Sequence, residues 1–73
     1  MGGEKTLREE LEAFSDEKLL SMMECISWEV LNSIQEETNV CSACRVLRLK
    51  HGFGLDVAAR IAFAFFILKE RGF

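Results

Sequence analysis

The chain has 73 residues, 49% of them hydrophobic and 29% charged, with a net charge of −3 and a mean hydropathy of +0.11. That length admits one small domain spanning 1–73, and the composition excludes a disordered or low-complexity chain. Proline is absent and glycine falls only near the ends and at positions 52 and 54, so the segments read as helices with few breaks.

The first predicted helix covers residues 5–14 and places Leu7, Leu11 and Phe14 on one apolar stripe. Ser15 reads as the N-cap of a second helix, with Asp16 and Glu17 at the positive end of its dipole. That helix is expected to run on to about residue 37. Its inner face is Leu19, Met22, Met23, Ile26, Val30 and Ile34, widened by Leu20 and Leu31. At about 100° per residue, Trp28 falls nearly opposite the centre of this stripe, beside Cys25 and Asn32.

Asn39 caps a third predicted helix over residues 40–51, with Val40, Ala43, Cys44, Leu47 and His51 on one face and Arg45 and Arg48 on another. Gly52-Phe53 reads as a Schellman ending, and Asp56 as the cap of the final helix, which Gly72 ends. Within that helix the run 57–68 is apolar on nearly every side. Val57, Ile61, Ala64, Phe65 and Leu68 form one stripe, while Ala59, Ala62, Phe63 and Phe66 form a second, roughly opposite. The run is about 12 residues, short of the ~18–20 that span a bilayer, so it reads as a core or interface helix. The expected fold is an all-α, compact bundle of three to four helices around a central hydrophobic C-terminal helix.

Charge divides along the chain. Ten acids oppose three bases up to Asn39, a net −7; two acids oppose six bases beyond it, a net +4. The plain reading is that the halves fold onto each other and neutralise part of this charge; the alternative is an acidic surface aimed at a basic partner, which would steer association.

The candidates for chemistry are few. Cys41-Ser42-Ala43-Cys44 is a C-x-x-C at a helix start, but no strand precedes it as in thioredoxin-like motifs, and no second cysteine pair completes a zinc set. His51 lies about 10.5 Å along the helix axis from Cys44, too far to share one ion. A single histidine allows no nucleophile–base–orienter set, and no glycine-rich phosphate loop is present. The expectation is a non-enzyme with no cofactor and no metal site, with a cysteine-based redox or zinc module as an alternative. Three cysteines, an odd number, and no signal peptide fit a reducing, cytoplasmic setting. The opening Met1-Gly2-Gly3-Glu4-Lys5-Thr6 formally matches a myristoylation pattern, though one acyl chain would also need a basic patch that this acidic half lacks.

A nucleic-acid reading, the second alternative, rests on Arg45, Arg48 and Lys50 before a glycine-containing turn and another helix. Val57, Ala58, Ala59 and Ile61 at the start of that helix cannot read base edges, and the acidic total opposes phosphate contact. Binding to protein is therefore the leading expectation, and nucleic acid is not an expected partner. Either the first helix wraps round and buries Trp28, or Trp28 is the candidate anchor, with Phe63 and Phe66 its companions and Asn32 a flanking contact. Phe73, the last residue of the sequence, either joins one of these surfaces or frays. Self-association into a homodimer through the final helix is the competing use of the same residues.

The stretch Val46-Leu47-Arg48-Leu49-Lys50-His51-Gly52-Phe53-Gly54-Leu55-Asp56-Val57-Ala58-Ala59-Arg60-Ile61-Ala62 resembles the C-terminal helix–turn–helix pairing of the MerR-like chaperone-modulator proteins. It spans about a quarter of the chain, and Arg60 stands where that family has glycine. The resemblance implies a regulator that binds and inhibits a co-chaperone through its J-domain; it transfers no site residue. A small intracellular regulator acting as inhibitor or adaptor on a larger, unidentified protein is the function expected.

Overall fold

The computed structural model describes residues 6–72; the expected start of the first helix at Lys5, the Met1–Lys5 part of the acylation pattern and Phe73 lie outside them. Five helices form among the described residues: α1 Leu7–Glu12, α2 Asp16–Glu24, α3 Trp28–Ile34, α4 Val40–Leu49 and α5 Leu55–Glu70. As the sequence predicts, the bundle is all-α with α5 at its centre. Helices α1, α2 and α4 all pack on α5, and α3 packs on α4.

Helix starts follow local capping chemistry. Thr6 and Glu9 form a reciprocal capping box on α1, the Thr6 hydroxyl accepting from the Glu9 amide at 3.2 Å. Ser15 accepts from the Lys18 amide at 3.2 Å and Asn39 from the Ser42 amide at 2.8 Å, so both predicted caps stand.

Residues 16–37 do not form one helix. Cys25 ends α2, and Ser27 starts α3 by accepting from the Val30 amide at 3.4 Å. Ile26 and Leu31 occupy the two positions of a hydrophobic staple around that cap, and both pack against the core. The break has a packing reason. A continuous helix of that length would extend about 33 Å, well beyond the about 24 Å of α5, whereas two short helices lay one segment on α5 and the other on α4.

The α4 ending also differs in detail from a Schellman motif. Gly52 takes φ +74 and donates to the Arg48 carbonyl at 3.2 Å, the single-bond left-handed cap, while the Phe53 amide reaches Leu47 O at 3.2 Å. A Cβ on Gly52 would meet nothing within 4 Å, so only backbone conformation opposes a side chain there. Gly52→Ala is expected to cost about 1 kcal/mol, lowering the thermal midpoint by about 4–8 °C, while Gly52→Asn costs less. Thermal unfolding followed by circular dichroism reads both. Asp56 is not the cap of α5: Gly54 holds that position without a side-chain bond, its carbonyl accepting from Ala58 at 2.9 Å, and Asp56 sits in the first turn. There its charge still faces the positive end of the dipole.

The core is built from Leu11, Leu19, Met23, Val30, Ile34 and Leu47 around six buried residues of α5. Four alanines, Ala43, Ala58, Ala62 and Ala64, have no exposed surface, so α5 meets its neighbours through a seam of short side chains. Half-buried His51 ties the end of α4 to α3 through Ser33, whose Oγ lies 2.8 Å from Nε2. The Ser33 hydroxyl proton goes to Val30 O at 2.6 Å, so Nε2 is the donor of that pair and carries its hydrogen.

Arg71 fastens α1 to the far end of α5. Its guanidinium donates to Glu12 O at 2.9 Å, Phe14 O at 3.1 Å and the Asp16 carboxylate at 2.7 Å, satisfying carbonyls that α1 leaves open. Arg8 adds a two-oxygen contact to Glu70 at 3.0 Å; hydrogen bonding to that carboxylate raises the Arg8 pKa above its ordinary value. Arg71→Ala is expected to cost about 1–2 kcal/mol in urea unfolding, and Arg71→Lys to recover less than half, because one ammonium replaces two guanidinium nitrogens that divide the three acceptors between them.

Candidate functional site

Trp28 is the first residue of α3, set there by the Ser27 cap, and 69% of its surface is exposed. It stands over a groove of about 240 Å³. Met23 of α2 and Leu31 of α3 line one wall, and Phe65 and Leu68 of α5 the other. Gln35 and Lys69 supply its polar edge. Lys69 is held by three contacts: its ammonium donates to Gln35 O at 3.4 Å and lies 5.6 Å from the ring centres of both Phe65 and Phe66. The two rings meet edge to face at 5.4 Å, which fixes one wall of the groove.

The four residues expected to form one contact set do not converge. Trp28 lines the groove just described. Asn32 is exposed on the same short helix but is not part of the groove lining. Half-buried Phe63 lies in a second groove between α4 and α5, and half-buried Phe66 lines a shallow depression with Glu36, Glu37 and Thr38. The second stripe of α5 is thus divided among several neighbours, with Ala62 fully buried within it. Phe65, placed by periodicity on the first stripe with Val57, Ile61, Ala64 and Leu68, is half-buried and lines the same groove as Trp28. Ser27 caps α3 so that Trp28 and Leu31 line a groove with the end of α5, and the unbroken helical period through residues 23–34 carries no signal of that break.

The other candidates are placed as follows. Arg45, Arg48 and Lys50 are all exposed on or next to α4. Across the turn α5 opens with Leu55 and Val57, 60% and 48% exposed, where a recognition helix would present polar base readers. Cys41 is exposed and Cys44 half-buried in the α4–α5 groove; Cys25 is exposed and its Sγ donates to Ser21 O at 3.8 Å. Among the described residues no three His, Cys, Asp or Glu side chains gather as a metal-ion site. No described helix is long and apolar enough to cross a membrane.

No protein-family model matches the chain, and no curated protein or solved structure gives a significant match.

Proposed function

We propose that this chain is a small intracellular regulator that acts by occupying a surface of a larger protein, as an inhibitor or adaptor, with Trp28 as its anchor. The observation that carries this reading is the 69% exposure of the only tryptophan at the edge of an apolar groove. A rigid amphipathic indole beside a cleft is the kind of group that dominates binding energy at protein interfaces. The groove accepts an apolar side chain of the partner, and Gln35 and Lys69 offer it hydrogen bonds at the edge. Glu24 and Glu29, exposed near Trp28 in sequence, belong to the acidic half and favour approach of a basic partner. Three cysteines without disulfides suit a reducing compartment. In this reading the chain performs no covalent chemistry and needs no cofactor.

The test pairs affinity capture from the native cell by wild type and by Trp28→Ala with sedimentation equilibrium of the free chain. A protein retained by wild type, lost with the variant, and forming a defined complex when both components are pure supports the proposal. Capture that ignores the substitution overturns it. So does a Trp28-dependent dimer of the chain that accounts for all association.

A further inference from the structure

The groove between α4 and α5 is a second surface, independent of Trp28. Among the described residues its lining comes from these two helices, with a volume of about 410 Å³. Val40, Cys44, Ala59 and Phe63 make an apolar floor, and Arg45, Arg48 and Leu49 form the α4 side. Leu49 is 79% exposed, more than any other large apolar residue described. Among the described residues no carboxylate lines the groove and neither arginine forms an ion pair.

We infer that this groove receives an acidic amphipathic helix from a partner protein. Arg45 and Arg48 are three residues apart, about 4.5 Å along the axis and neighbours on one helix surface. That spacing meets carboxylates at positions i and i+3 or i+4 of a helix laid along the seam. The guanidinium fork favours carboxylates, and the apolar floor takes the intervening leucine or phenylalanine side chains. A seam between two packed helices is shaped for the ridge of a third. Duplex nucleic acid satisfies the arginines but leaves Leu49 and the floor in water. A membrane surface is too flat to enter a concave seam. The polarity is the reverse of that at the Trp28 groove, where the acidic half of this chain favours a basic partner, so the two surfaces select different segments.

The experiment is selection from a display library of single amphipathic helices with randomised sequence, against the folded full chain. Bound clones are then tested for protection of Cys41 and Cys44 from alkylation by iodoacetamide, with Cys25 as the internal reference. Expected are clones enriched in Asp or Glu at i, i+3 or i+4 beside Leu or Phe, which protect Cys41 and Cys44 but not Cys25. The double variant Arg45→Glu, Arg48→Glu weakens them by about tenfold or more, and Trp28→Ala leaves them unchanged. Both arginines are exposed, so the charge reversal is checked against an unaltered melting curve. No enrichment, enriched clones without the acidic spacing, or clones whose binding follows Trp28 would overturn the inference. It is equally overturned if a duplex DNA or phosphatidylserine vesicles protect the two thiols in an arginine-dependent manner while helices do not.

Discussion

Leu47→Ala is expected to lower unfolding stability by about 2–5 kcal/mol, enough to leave a large unfolded fraction at physiological temperature. A domain of this size holds only about 4–11 kcal/mol in total. Leu47 lies in the last turn of α4 with no exposed surface, and α4 makes the most extensive helix contact with α5, so its truncation leaves a cavity beside that contact. The seam beside it cannot close the gap by sliding: Ala43, Ala58 and Ala62 are already fully buried short side chains, and backbones that close have little further travel. Urea unfolding of wild type and variant gives the difference directly. A loss under about 1 kcal/mol would mean that α4 is not a structural wall of the core.

Trp28→Ala has the opposite profile. Its indole is 69% exposed and makes no cap bond, so unfolding stability should stay within about 0.5 kcal/mol of wild type. Affinity for the partner should fall by about 2 kcal/mol or more, roughly 30-fold, as for a central aromatic anchor at an interface. Trp28→Phe keeps the apolar area and should lie between the two. Calorimetric titration with the captured partner, beside a thermal melt of each variant, separates binding from folding. Equal loss of stability and affinity would make Trp28 a packing residue.

Much of the fold was legible because caps and periodicity are local. Ser15 and Asn39 announce α2 and α4 through a side-chain oxygen that meets an amide three residues on, and that geometry needs no knowledge of the rest of the chain. The break at Ser27 was not legible. Met23, Ile26, Val30 and Ile34 keep a helical period straight across it, and no proline or glycine interrupts them. Tertiary packing on α5 and α4 selects the break, and Ser27 then serves as its cap. A continuous helix leaves Trp28 either covered by the first helix or open to solvent, and its exposure is seen at the start of a new helix. Phe63 and Phe66 could not be assigned to one surface from a helical wheel, because the wheel shows angles and not which neighbour covers each side. Phe65, which lines a groove together with Trp28 and Leu31 of α3, shows the same limit from the other direction.

The chain contains one tryptophan and no tyrosine, so its fluorescence reports Trp28 alone. Titrating the unlabelled chain with a purified partner chosen to be free of tryptophan, or engineered to lack it, is the most direct measurement of the docking claim. An indole leaving water for an apolar contact should give a saturable blue shift, with a midpoint equal to the dissociation constant measured by sedimentation. A complex that forms fully by sedimentation while the emission stays that of a solvated indole would contradict the account.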